Sequence, residues 1–160
     1  MIDLDKRITR RMLVGSALMS FLMIPACGAK PVRVFLDISL FSYLDRPIFD
    51  VDMNGTDFMS ALAYSFYGAN SVMVDQPITL GPQIVSWRLA GPEGMPRNGD
   101  TVHAKNIPIL NEIPRDVRWL GLHIYDDDTV EIALSKRSKF ELETERGKKI
   151  VEEWKRAHGK

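Results

Sequence analysis

Several stretches of this chain switch between apolar and polar at every residue, and that period of two dictates extended strands with one buried face. From residue 32 to 40, Val32, Val34, Leu36, Ile38 and Leu40 fall on one side, with Arg33, Asp37 and Ser39 on the other. Asp45-Arg46-Pro47 turns the chain, and Ile48 to Met53 reads as a second strand closed by Asn54-Gly55, a strong turn dipeptide. Residues 58 to 67 fit either a helical turn, through small residues at 60, 61 and 63, or a strand, through Tyr64, Phe66 and Tyr67. Ile84 to Leu89 sets Val85, Trp87 and Leu89 against Ser86 and Arg88, which marks Trp87 as a core anchor. Gly91 to Gly99 holds three glycines and two prolines and must be an exposed loop. A short strand follows at Thr101 to Lys105. Val117–Tyr125 and Thr129–Leu134, joined by Asp126-Asp127-Asp128, form a hairpin by pattern. Strands this short, spaced by turns, predict a mainly β (α+β) fold: an antiparallel β-sandwich or rolled sheet with a C-terminal α-helix.

The helix is expected at about 138–158. Ser138 and Glu141 have the spacing of a capping box, in which hydroxyl and carboxylate each answer a free amide. Ile150, Val151, Trp154 and Ala157 recur at helical spacing, and Gly147 should weaken the middle by about 1 kcal/mol relative to Ala. Trp154 is expected to pack this helix on the sheet; the alternative is a helix that docks a partner.

The N-terminus obeys different rules. Arg7, Arg10 and Arg11 precede a run without charge that ends at Ile24-Pro25-Ala26-Cys27. A basic start, an apolar middle and a small residue before a cut describe a secretory signal peptide at residues 1–26. The last four residues resemble the bacterial lipobox, whose Cys is diacylated before cleavage and acylated on the new amino group afterwards. By that resemblance Cys27 is a lipidation site, residues 27–31 are a short tether, and residues 32–160 form a single β-rich domain. A transmembrane helix is the competing reading. It needs roughly 20 apolar residues, whereas the uncharged stretch from Met12 to Ala29 is 18 long and contains Pro25. Thr9 to Val14 is also similar to a twin-arginine export signal, with Leu13 where Phe is usual. Gly28, rather than Asp, after Cys27 resembles the enterobacterial rule for sorting to the outer membrane rather than the inner one.

Cys27 is the single cysteine of 160 residues, so the exported domain is expected to be held by packing without a disulfide. Beyond residue 26 lie 17 basic and 19 acidic side chains, a net charge of −2. That balance argues against a nucleic-acid partner, which would gather positive charge. Asp50, Asp52, Asn54 and Gly55 match the first half of a calcium loop, but Asp57 stands where an apolar residue is normal and Ala61 where a bidentate Glu is needed. A strand end plus a turn explains them better, so no metal is expected. His103 and His123 sit within strands without a neighbouring ligand, and no serine lies in a Gly-x-Ser-x-Gly elbow. No catalytic residues, cofactor or small-molecule substrate are predicted, and the chain is read as a non-enzyme.

The segments Asp45-Arg46-Pro47-Ile48, Val51-x-x-Asn54-Gly55, Pro77 through Trp87-Arg88, Gly99-Asp-Thr-Val102 and Leu122-His-Ile-Tyr-x-Asp127 resemble a family of small proteobacterial lipoproteins of unknown function. Some members are similar to immunity proteins of type VI secretion lipase effectors. Many carry cysteines in the central segment, which this chain lacks. The resemblance implies a lipoprotein facing the periplasm that occludes a lipase-type effector protein. The loops offered for that contact are the turn at 54–59 and the loop at 91–99, with Asp57, Met59, Met95 and Arg97 as partner-binding residues. The alternative function is a structural or assembly lipoprotein of an envelope or secretion complex, docking through its C-terminal helix.

Overall fold

The computed structural model describes residues 32–57, 59–68 and 72–159. The expected signal peptide and tether, with Cys27, lie outside the described residues. No helix among the described residues is long and apolar enough to cross a membrane.

The strands are β1 (Arg33–Ser42), β2 (Ile48–Met53), β3 (Thr56–Asp57), β4 (Met73–Thr79), β5 (Gly81–Pro82), β6 (Val85–Leu89), β7 (Thr101–His103), β8 (Ile109–Leu110), β9 (Trp119–Ile124) and β10 (Val130–Ser135). A 3-10 turn at Lys139–Glu141 and a helix, α1 (Glu145–Ala157), follow. One sheet has the order β10-β9-β1-β4, a second β3-β2-β6-β7, and β5 pairs with β8. The expected β-rich α+β architecture is what forms, with two differences.

The first is that β1 and β9 run parallel, Ile38 opposite Leu120 and Leu40 opposite Leu122, so the first sheet is mixed rather than wholly antiparallel. Between them the chain builds the second sheet, a long crossover of the kind a parallel pair requires. The second difference is burial on both faces. The inter-sheet core holds Leu36, Ile38 and Leu40 of β1 with Leu120, Leu122 and Ile124 of β9, against Val51, Met53, Val85, Trp87 and Leu89 of the second sheet. On the outer face of the first sheet, Phe41, Tyr43, Phe66, Tyr125 and Leu142 form a second cluster, capped by Ile150, Val151 and Trp154 of α1. Asp37, Ser39 and Ser42 are therefore buried although the alternation of β1 placed Asp37 and Ser39 on a solvated face. Arg118 and the Asp75 amide hold Asp37, and Gly68 lies against Ser39.

α1 begins at Glu145, seven residues after the expected start. Ser138 makes no side-chain cap bond, and Glu141 instead accepts a hydrogen bond from Ser135 Oγ at 2.9 Å. The reason lies in between: Leu142 is fully buried, and drawing it into the outer cluster breaks the chain direction before a helix can propagate. Thr144 is the true cap, its hydroxyl accepting from the Gly147 amide at 2.9 Å.

Candidate partner-binding surface

The loop between β6 and β7, residues 90–100, is preformed. Gly94, Arg97 and Gly99 adopt left-handed backbone angles (φ 80°, 64° and 84°), which two of them reach freely as glycines. Arg46, from the β1–β2 connection, pins the loop from one side. Its Nε donates to the Ala90 carbonyl at 2.9 Å, one terminal nitrogen to the Pro96 carbonyl at 2.9 Å, and the other to Asn98 Oδ1 at 2.6 Å. Asn98 in turn donates to the Pro92 and Gly91 carbonyls at 2.7 and 3.2 Å. Only a planar guanidinium presents donors in this fork. Eleven residues, none of them fully buried, are thus held by one long-range side chain.

Beside the loop lies a cleft of about 220 Å³ lined by Leu44, Asp45, Arg46, Leu89, Arg97, Asp126 and Asp128. Guanidinium groups alternate there with carboxylates. Arg97 pairs with Asp100 at 3.2 Å and Asp128 with Lys105 at 3.1 Å. Asp127 points elsewhere, accepting from Thr129 and pairing with Arg146 at 2.9 Å. The Thr129 hydrogen bonds, then Arg146, lower its carboxyl to about 2. A charge mosaic of this kind sets the orientation and selectivity of a protein contact more than its strength.

The four residues singled out from sequence do not form one patch. Arg97 is exposed and lines the cleft. Met95 is half-buried, its sulfur folded over Gly91 so closely that a side chain there would collide with it. Met59 is half-buried and packs against the inter-sheet core. Asp57 is exposed on β3, opposite Asp52. The split follows from the Asn54-Gly55 turn, whose two positive φ angles (56° and 79°) make the tight reversal that hairpins favour. That turn lays the chain back along β2: Asp57 stands beside Asp52 and Ala61 bridges Ile48, the residue paired with Leu89. Asp57 is thus four residues, about 13 Å, along β2 from the strand end where the 90–100 loop departs. Asn54 anchors inward, to the Pro82 carbonyl, Gln83 and the Ile84 amide, and Asp50 pairs with Arg88 at 3.3 Å, so neither shares a ligand set with Asp52.

A second cleft, of about 250 Å³, was not anticipated. It runs between α1 (Gly147, Lys148, Val151, Glu152, Lys155) and the aromatic side chains of Tyr43, Phe66 and Tyr67. Its floor belongs to a hydrogen-bonded network on the outer sheet face. His123 is fully buried, stacked on Phe41 at 4.2 Å. Its Nε2 donates to the Leu142 carbonyl at 2.9 Å, which leaves Nδ1 to accept from the Tyr43 hydroxyl at 3.1 Å. Burial lowers the imidazole to about 4, so it is neutral at pH 7. Alongside, Tyr125 donates to Glu131 at 2.7 Å and meets the Thr144 hydroxyl at 2.6 Å, while the Arg146 guanidinium lies 3.8 Å over its ring. Burial raises the hydroxyls of both Tyr43 and Tyr125. The signal in the sequence was the spacing Phe41-x-Tyr43 and His123-x-Tyr125, two residues apart and so on one strand face; no apolar alternation flagged it. His103, by contrast, is exposed on the edge strand β7.

No family model, no curated protein and no solved structure matches this chain.

Proposed function

We propose that this protein is a lipid-anchored, periplasm-facing binding module, and that it acts as an immunity protein neutralising a type VI secretion (phospho)lipase effector by covering its active site or lid. The carrying observation is the Arg46-pinned loop at 90–100 beside its charged cleft. A loop ordered before contact loses less entropy on binding, which is what tight occlusion of an enzyme requires. The lipobox resemblance at Cys27 and the family resemblance support the location and the class of partner. Two or three acyl chains give a durable anchor where one gives marginal binding. An assembly lipoprotein docking through α1 has less support, because Ile150, Val151 and Trp154 already pack against the domain's own outer cluster.

The test is co-expression with a type VI secretion lipase effector directed to the periplasm. Cells carrying the full chain should survive, and Arg46→Ala should lose protection while keeping a cooperative unfolding transition. Equal killing with and without the chain overturns the immunity reading. Protection lost only on truncating α1 supports helix docking instead.

A further inference from the structure

The parallel pairing of β1 and β9 puts the starts of both strands, and the end of β10, at one end of the first sheet: Asp37 faces Trp119, and Trp119 faces Ser135. The chain enters the domain at this same end, at Val32 and Arg33. Three large apolar side chains are exposed in the segments gathered there. Phe140, at 76 %, is the most exposed large hydrophobic residue among those described, and Val32 and Phe35 stand at 60 % and 58 %. Around them are basic groups. Arg118 pairs with Asp37 at 3.0 Å, Lys136 with Asp116 at 2.6 Å, and Arg137 loosely with Glu141 at 4.0 Å. Arg33, Arg115 and Lys139 make no ion pair among the described residues, and the Lys139 ammonium lies 5.6 Å from the Phe140 ring centroid. At the far end of the same sheet, in the Asp126-Asp127-Asp128 turn between β9 and β10, Asp127 and Asp128 are paired with Arg146 and Lys105.

From these exposed rings and unpaired basic groups we infer that the Arg33–Lys139 end is a membrane-contact surface that seats the domain on an anionic phospholipid bilayer, with Phe140 and Phe35 entering the headgroup region. The inference rests on the membrane location proposed above and adds an orientation to it. Uncompensated cations beside exposed aromatic rings are the chemistry of an anionic lipid surface, which attracts basic groups within a Debye length and accepts apolar rings at the interface. The orientation also directs the 90–100 loop and its cleft, which borders the Asp126–Asp128 turn, away from this end of the sheet.

The experiment uses the full chain reconstituted in vesicles of brominated phosphatidylcholine with or without about 30 mol % phosphatidylglycerol. Phe140→Trp is read as the emission it adds over the wild-type tryptophans, and Asp126→Trp serves as the control at the opposite end. The surface proposal expects the Phe140→Trp increment to be quenched about twofold or more with phosphatidylglycerol. It expects that quenching to disappear in about 0.5 M salt and in an Arg33→Glu/Lys139→Glu background, with Asp126→Trp unquenched throughout. An unquenched Phe140→Trp, or equal quenching at both positions, overturns it. Mass spectrometry of the Cys27 peptide from the same sample tests the anchor separately. An unacylated Cys27 removes the tether reading, and the quenching still decides the surface.

Discussion

The α-carbon of Gly147 rests against the hydroxyl of Tyr43, so that a β-carbon at 147 would overlap the phenol oxygen. Helix propensity alone argues that Gly147→Ala should stabilise α1 by about 1 kcal/mol. The contact reverses that sign. Tyr43 is held by His123 Nδ1 and stacked on Tyr125 at 4.7 Å, so it cannot give way cheaply. Gly147→Ala is expected to destabilise the fold by about 1–3 kcal/mol, as overpacking does. Adding Tyr43→Phe should recover part of the loss, because the oxygen is the nearest obstacle. Thermal unfolding of the single and double variants measures both. A stabilised single variant would show that α1 does not lie this close to β1.

Capping gives a second contrast. Thr144→Ala removes the bond to the Gly147 amide and the hydroxyl that meets Tyr125. It should cost about 1–2 kcal/mol. Ser138→Ala, at the position the sequence pattern favours, should fall within about 0.5 kcal/mol of wild type, since Ser138 makes no cap bond. Denaturant titrations that rank the two in the reverse order would place the helix start at 138 after all.

His123 makes stability depend on mild acid. In the folded state burial lowers its imidazole from 6.5 to about 4. Between those values the unfolded chain binds a proton that the folded chain refuses, so stability rises with pH across the window. It is full above about pH 6.5, falls as pH drops toward 4, and the loss from this group is about 3 kcal/mol at most. Protonation would place a proton on Nδ1, facing the Tyr43 hydroxyl that now donates to it. The lowered Asp127 carboxyl acts only below the ordinary carboxylate range, where falling pH removes its stabilisation on the way to about 2. His123→Asn, though less stable overall, should therefore flatten the unfolding free energy between pH 6.5 and 4.5. A variant whose slope in that window matches wild type would move the sensitivity to another group.

The legible part of this fold was the part governed by one-sided burial. Val85, Trp87 and Leu89 alternate because the outer side of β6 meets solvent, whereas the hairpin of β9 and β10 was legible through Leu120, Leu122 and Ile124 although β9 is buried on both faces. Asn54-Gly55 fixed its turn through backbone sterics alone. What escaped notice was burial on both faces. Ser39, Gly121 and His123 look polar or neutral in sequence, and they are covered because Gly68 lies against Ser39 and Leu142 against Gly121 and His123, contacts that strand alternation does not show. The candidate contact surface failed in a related way. Loop composition located the 90–100 segment but not the register that sends Asp57 along β2, away from Arg97. Arg46, which organises that loop, carries no local signal of its role; its three acceptors lie 44 to 52 residues away.

That dependence supplies the last prediction. The loop's internal bonds, such as Asn98 to the Pro92 carbonyl and the Met95 amide to Pro92, are exposed and hold weakly alone. With Arg46→Ala all three guanidinium bonds go, and the part-buried Ala90 carbonyl loses its side-chain donor. Net contributions of about 1 kcal/mol per bond make the loop's closed state less favoured by about 2–3 kcal/mol. Amide exchange at Asn98, Gly99 and Asp100 should accelerate by about 30-fold or more. Exchange in β9 and β10 should be nearly unchanged, because the inter-sheet core does not involve this side chain. Arg46→Lys should behave almost like Arg46→Ala, since a single ammonium cannot span three acceptors. Hydrogen exchange followed by mass spectrometry resolves the 90–100 peptide from the hairpin. If that peptide exchanges at the wild-type rate in Arg46→Ala, the loop is ordered by its own turns, and its preformed state cannot be assigned to Arg46.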